Sequence, residues 1–406
     1  MSACGGEQTV VITGIGAITP LGCGARTLYH RWCAGNGAIK QGSGRCDDFQ
    51  PQDTLSRKEL RISDRFTQFA LVAAEEALQE AGWLPSSPYE PERIACVIAT
   101  SVGGIQTCLT QHDRIRERGP RQVSPLAAVM QMPNAAAAMV SQRYGFHGEC
   151  KAVVGACASG TQVFAEALRL LADPNVDAVL AGGADAAITS QTQAAFARMG
   201  ALSPSGVARP FDRYRDGFVM GEGAGIVVLE HAEAAQARAA KVLGRVLGAA
   251  GTTDGFHLSA PDPTGRLAAL AIQRALQNAC IHPRDVDYIN AHGTASRHND
   301  IAETHAIKLA FGGAAPLVPV SSTKSAIGHL MGAAGSVEAI ATLLALRERT
   351  APPTLYLNEP DDGLDLNFVG ESTRPLPPHP EGRDYIGISN SFGLGGHNAV
   401  VVLSAA

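Results

Sequence analysis

The sequence has no basic excess. Its 33 Lys and Arg against 38 Asp and Glu leave a formal net charge of −5, and bulk nucleic-acid binding needs a basic field. No uninterrupted apolar run approaches the roughly 18 residues that suggest a membrane span. No Lys/Arg-led apolar segment opens the chain, so no signal peptide is expected. There is no CxxC: the nine cysteines, at 4, 23, 33, 46, 96, 108, 150, 157 and 280, are scattered and odd in number. Neither a disulfide framework nor a zinc site is expected from them, and a reducing, cytoplasmic setting fits best. There is no GxGxxG either. "GEGAG" at Gly221 precedes a strand-like run instead of a helix, which points to packing and not to phosphate. What is there is an ordinary globular composition, 45% apolar and 17% charged over 406 residues. That length is ample for two domains or one double-sized one.

Short apolar, β-branched runs recur, each followed by glycine or alanine and then a helical stretch: "TVVITGIG", "RIACVIATSVGG", "KAVVGACASG", "DAVLAGGADAA" and "GIVVLE". The rhythm repeats in "RVLGAAG", "VDYINAHGTAS", "PLVPVSSTKSAIGH" and "DYIGISNSFGLGGHNAVVVL". Alternating apolar strands and helices predict an α/β fold with sheets buried on both faces. Two related halves are expected, 1–240 and 241–406, with "HAEAAQARAAKV" as a connecting helix. "RPLPPHPEGR", residues 374–383, reads as a surface loop. Cys157, His292, the Lys324/His329 pair and the "SFGLGGHN" turn from Ser391 each fall in a glycine-bounded turn after a strand. Ligands gather at the carboxyl ends of strands, so elements of both halves are expected to meet at one pocket.

Cys157 stands between small residues at a strand-to-helix junction. A nucleophile needs that collar, because a substrate must approach it; a packing cysteine does not. The helix that follows, "ASGTQVFAEALRLL", carries an apolar stripe at Val163, Phe164, Ala167, Leu168 and Leu171. A thiol at its N-terminus is expected to have a depressed pKa. His292 follows a strand in "NAHGTAS", and His329 is expected in the first turn of a helix running to Leu346. A neutral imidazole there can donate an N–H to a developing oxyanion. Lys324 lies five positions before His329. The "SFGLGGHN" turn is a source of backbone N–H donors. Zinc binding by Cys157, His292 and His329 lacks local ligand spacing, and His298 and His305 are expected at the surface.

These motifs, with "RPFDRYRDGFVMGEGAG" and "SSTKSAIGHLMGAAG", resemble the β-ketoacyl-acyl carrier protein synthases, most closely the elongating type II enzyme, over nearly the whole chain. The resemblance implies a thiolase fold: two pseudo-repeated halves in a five-layered α-β-α-β-α core, assembled as a dimer. It implies that Cys157 takes an acyl chain as a thioester from the phosphopantetheine arm of acyl carrier protein, with no cofactor bound by the enzyme. His292 and His329 would then stabilise the enolate formed as malonyl-carrier protein loses CO₂. Lys324 would hold the electrostatics with Glu338 as partner. Thr294 and Ser296 would contact the pantetheine arm, and Phe392 the substrate. The N–H groups of Cys157 and Leu394 would form the oxyanion hole, and Lys58, Arg61 and Arg121 would dock the carrier protein.

Two departures bear on the substrate. Leu394 stands where the family usually has phenylalanine, a gate between acyl pocket and malonyl site. Val102 stands where the type II enzyme often has isoleucine, at the mouth of the acyl tunnel. Fatty acid elongation is therefore expected, with a specialised polyketide or polyene ketosynthase as the alternative, either as a homodimer or paired with a non-catalytic chain-length partner. A non-catalytic subunit commonly lacks the active cysteine. A degradative thiolase uses a second cysteine near the C-terminal glycine turn, and Ser391 to Asn398 contains none. A Cys-His hydrolase needs an orienting acid, and no such set is evident.

Overall fold

The computed structural model describes residues 9–379 and 382–405. Cys4 and positions 380 and 381 of the proline-rich loop lie outside them. Five strands build the first half: β1 (Val10–Thr19), β2 (Ile94–Ala99), β3 (Cys150–Lys151), β4 (Ala178–Asp185) and β5 (Gly223–His231). Five more build the second: β6 (Gly244–Thr253), β7 (Tyr288–Asn290), β8 (Pro319–Ser321), β9 (Tyr385–Gly393) and β10 (His397–Ala405).

The two halves share one pairing pattern. β1 pairs antiparallel with β5 and β5 antiparallel with β4; β4 then pairs parallel with β2, and β2 parallel with β3. In the second half the order β6, β10, β9, β7, β8 repeats the sequence antiparallel, antiparallel, parallel, parallel. The halves join where Val10, Ile12 and the residue between them face Val246 to Gly244. Every residue of β1, β2 and β4 is buried, as expected of strands covered on both faces.

Helices fill the layers. α1 (Arg65–Glu80) packs outside the first sheet, and α3 (Arg266–Asn278) with α4 (Arg297–Phe311) outside the second. Between the sheets lie α2 (Ser159–Leu171) and α5 (Ala334–Arg347), each touching strands of both halves. This is the five-layered thiolase arrangement. α5 is buried at every position from Ala334 to Leu346, and glycines let the two central helices approach closely: a Cβ on Gly335 would lie 2.5 Å from Thr161 N, and one on Gly160 2.8 Å from Ser336 N.

Two local expectations differ. The strand before Cys157 is only Cys150–Lys151, because it sits at the sheet edge and has β2 alone to pair with. The connecting helix shrinks to Ala232–Ala237. Among the described residues Cys280 is disulfide-bonded, which the scatter of the cysteines does not announce; Cys23, Cys33, Cys46, Cys96, Cys108, Cys150 and Cys157 are free thiols.

Candidate active site

Cys157 lies in a tight turn just before α2. The Ser159 hydroxyl accepts from Gly155 N–H at 2.8 Å and donates to the Ala156 carbonyl at 2.6 Å. Ala156 is thereby held at φ 50, a conformation costly for a residue with a Cβ and common where a site is preorganised. Cys157 is 6% exposed. The end of β9 closes against it: a Cβ on Gly393 would lie 3.0 Å from Cys157 N, so only glycine lets the C-terminal turn come this near. Thr161 Oγ1 and Ser391 Oγ, 2.8 Å apart, fasten α2 to β9. The turn beyond is held by Gly395 N–H on the Leu258 carbonyl and by the Asn398 amide on Asp254.

The backbone N–H groups of Leu394 and of Cys157 itself lie close enough to the thiol to favour its anion. Its protonation differs from expectation. Burial pushes the thiol up to about 11, and the Leu394 N–H and the Lys324 charge pull the other way without prevailing. Desolvation of the anion outweighs the helix terminus, and the resting nucleophile keeps its proton at neutral pH.

Both histidines are buried and neutral. Burial lowers His329 well below the ordinary imidazole value, and the Lys324 charge lowers it further. Burial, Lys324 and His329 do the same to His292. His329 Nδ1 accepts from Met331 N–H at 3.2 Å, which leaves the proton on Nε2, and Nε2 is buried with no partner. His292 is fixed through its backbone. Glu303 accepts from His292 N–H and Gly293 N–H, both at 2.7 Å. The two rings meet edge to face with centroids 5.3 Å apart. Phe392 lies 5.9 Å from His292, and Phe218 lies 5.6 Å from His329. His329 is not in the first turn of α5. Gly328 at φ 73 and Met331 at φ 53 break the chain there, and burial with the Lys324 charge does the work expected of a helix end.

Lys324 is fully buried and its ammonium pairs with Glu338. Burial raises Glu338, and Lys324 pulls it back. The second oxygen, Oε2, has no partner.

Cys157, His292, His329, Thr294, Ser296, Phe392 and Leu394 line one cavity of about 370 Å³. Lys324 and Glu338 stand behind it. Thr294 Oγ1 donates to Ser296 Oγ at 3.1 Å, and Ser296 caps α4 by accepting from Asn299 N–H. Val102 is not brought to this cavity; it is 40% exposed on the loop after β2. Lys58 and Arg61, on the short helix Arg57–Ile62, and Arg121, on the turn Pro120–Gln122, are exposed and do not line it. His298 is exposed as expected but does line the cavity mouth. Sequence reasoning missed Glu303 and Asp185, two fully buried carboxylates that accept backbone N–H groups of the histidine-bearing segments. The one available signal was the acid placed among small apolar residues in "GGADAA"; Glu303 had none. Among the described residues no group of three or more His, Cys, Asp or Glu is placed to hold a metal, and no helix is long and apolar enough to cross a membrane.

A buried thiol beside two backbone N–H groups, with two neutral N–H-bearing imidazoles in the same cavity, suits acyl transfer through sulfur followed by stabilisation of a second oxyanion. Comparison with known proteins agrees. Residues 41–235 match the beta-ketoacyl synthase N-terminal domain and residues 243–358 the C-terminal domain. The chain is 39% identical over 413 residues to a 3-oxoacyl-[acyl-carrier-protein] synthase 2 of Synechocystis sp., covering 97% of each. It is 40% identical over 412 residues to the protein of the same name from Staphylococcus aureus, covering 98% of each. Among solved structures it is similar to the ishigamide ketosynthase/chain length factor, with TM-score 0.90, 30% identity, and 99% of this chain and 100% of that one covered. It is also similar to a type II polyketide ketosynthase solved with its acyl-carrier protein, with TM-score 0.89, 27% identity and the same coverage.

Proposed function

The chain belongs to the beta-ketoacyl synthase family, and from that premise we propose a role for each group in its cavity. The enzyme is an acyl-transferring ketosynthase. It condenses an enzyme-bound acyl thioester with malonyl-acyl carrier protein to give 3-oxoacyl-acyl carrier protein and CO₂, the elongation step of fatty acid synthesis.

In the first half-reaction the Cys157 sulfur attacks the acyl thioester. The carbonyl oxygen becomes an oxyanion between the N–H groups of Cys157 and Leu394, the two backbone donors beside the sulfur. The pantetheine sulfur leaves and takes up the proton that Cys157 gives up. In the second, the malonyl thioester carbonyl sits between His292 and His329. As the C–C bond to the carboxylate breaks, its electron pair forms the enolate and CO₂ departs. No strong base is needed, so neutral N–H donors suffice. The enolate carbon then attacks the acyl-cysteine, the same backbone pair holds the new oxyanion, and Cys157 leaves as the thiolate, which takes up a proton from solvent to restore the resting thiol. Burial, with the Lys324 charge adding to it, keeps both imidazoles unprotonated.

Thr294 and Ser296 contact the phosphopantetheine arm, which the carrier protein supplies, so the enzyme needs no cofactor of its own. Lys58, Arg61 and Arg121 dock that acidic carrier: their heads are exposed and carry no ion pair or hydrogen bond among the described residues. The enzyme works as a dimer in the cytoplasm. Support for the dimer lies near the edge strand β3, where Val154, three residues beyond the strand, is 55% exposed. Val129 and Met132, also exposed, lie on the segment leading into the helix Ala135–Tyr144 that packs on β3. A polyketide role with a paralogous partner subunit uses the same chemistry and is supported by Leu394.

The observation that carries the assignment is the Cys157 sulfur sharing one cavity with two neutral histidines and Leu394. Intact-protein mass spectrometry after incubation with acyl-carrier protein tests it. The acyl mass appears on the wild type and is absent from Cys157→Ala.

A further inference from the structure

Asp185 closes β4 and is fully buried, yet the chemistry above makes no use of it. Its Oδ2 accepts from three donors: Ser101 N–H at 2.7 Å, the Ser101 hydroxyl, and Gly332 N–H at 3.0 Å. Oδ1 is buried without a partner, and no cation pairs with the carboxylate among the described residues. An uncompensated buried acid is expensive to keep, so its place asks for an explanation.

Two distant segments meet on this carboxylate. One is the loop after β2; the other is the turn after His329. Gly332 directly follows Met331, whose N–H fixes the His329 tautomer. The turn has no slack on its near side. A Cβ on Gly332 would lie 2.3 Å from Ser101 N and 2.8 Å from Asp185 Oδ2. Packing stops the turn from moving inward, and the Gly332 N–H bond to Asp185 stops it from moving outward. The imidazole is only as well aimed as that turn. The charged groups acting on the Cys157 thiol are Lys324 and Asp185, with opposite effects. The C-terminal turn brings the uncharged Phe392, Gly393, Leu394 and Asn398 to the cavity, and both histidines are neutral.

We propose that Asp185 is a positioning residue for the condensation. Its Oδ2 pins the Met331–Gly332 turn so that His329 presents Nε2–H to the cavity, and its negative charge stands behind Cys157. This rests on the reading that His329 serves decarboxylation and Cys157 acyl loading.

Two substitutions separate the effects. Asp185→Asn keeps an acceptor for the three donors and removes the charge; Asp185→Ala removes both. Burial pushes the Asp185 carboxyl up to about 6, so assays at pH 8 compare an ionised wild type with neutral variants. Asp185→Asn keeps CO₂ release from malonyl-carrier protein within about fivefold, whereas Asp185→Ala loses roughly 10²–10³, the scale of one lost oxyanion donor. Acyl loading of Cys157 persists in both. Iodoacetamide alkylation of Cys157 shifts to lower pH in both, because a repelling charge has gone. ¹⁵N-histidine spectra report the Nε2–H tautomer of His329 in the wild type and Asp185→Asn. Wild-type CO₂ release in Asp185→Ala overturns the proposal. So does an unmoved alkylation profile in Asp185→Asn, the readout that remains if Asp185→Ala fails to fold. Normal CO₂ release in His329→Ala would instead sink the reading of the site on which the proposal stands.

Discussion

Replacing His329 by alanine separates the two half-reactions. The imidazole is buried, its Nδ1 is occupied by Met331 N–H, and its Nε2–H has no partner among the described residues until substrate arrives. The deletion therefore removes one preorganised donor from a buried position, which is worth about 10²–10³ in rate, or about 2.7–4 kcal/mol. It also leaves Met331 N–H unsatisfied, at a stability cost of about 1–3 kcal/mol. Acyl loading uses the Cys157 and Leu394 N–H groups and stays within a few-fold of wild type. His329→Gln, whose amide places an N–H near the lost one, recovers part of the decarboxylation. The assay is labelled CO₂ release from malonyl-carrier protein, run beside intact mass of the acyl-enzyme. Equal losses in the two half-reactions, or wild-type CO₂ release from His329→Ala, would refute the division of labour.

Three further outcomes follow from the same geometry. The Cys157 thiol is raised to about 11, so its thiolate fraction, and with it the alkylation rate of the unloaded enzyme, rises about tenfold per pH unit from 7 to 10; a plateau reached by pH 8 would contradict this. Lys324→Ala leaves Glu338 buried without its cation and costs about 3–5 kcal/mol in urea unfolding, whereas Lys324→Met with Glu338→Leu restores most of the stability but not the activity; an unchanged midpoint for the single variant would count against the buried pair. Leu394→Phe adds a ring at the cavity wall and biases kcat/KM from polyenoyl toward saturated carrier-protein substrates while Cys157 still acylates, a preference shift of about 1–3 kcal/mol; an unchanged ratio would make Leu394 neutral and remove the main support for a polyketide role.

The residues that line the cavity were the legible ones. Cys157, His292, His329 and Leu394 sit in turns rich in glycine and small residues, because a backbone that must come close to a substrate cannot carry bulk, and that composition shows in one dimension. The repeat of two halves was legible for a similar reason: strands covered on both faces are continuous apolar runs. Such runs look the same in either direction, so the antiparallel placement of β5 between β1 and β4 was not. The strand before Cys157 was overestimated because pairing is lost at a sheet edge, which composition does not encode. The thiol was expected to be acidic from its helix alone, and burial, set by β9 arriving from the far end of the chain, reverses that. Asp185 and Glu303 stayed hidden because their meaning lies in donors contributed by Ser101, Gly332 and Gly293, which only the fold brings together.

The central claim is that Cys157 carries the acyl chain. Wild type and Cys157→Ala are incubated with acyl-carrier protein, and intact mass is followed by peptide mapping. The wild type should gain one acyl group, located on the peptide containing Cys157, and Cys157→Ala should gain none and form no 3-oxoacyl product. An acyl group on another residue, or 3-oxoacyl product at the wild-type rate from Cys157→Ala, would contradict it.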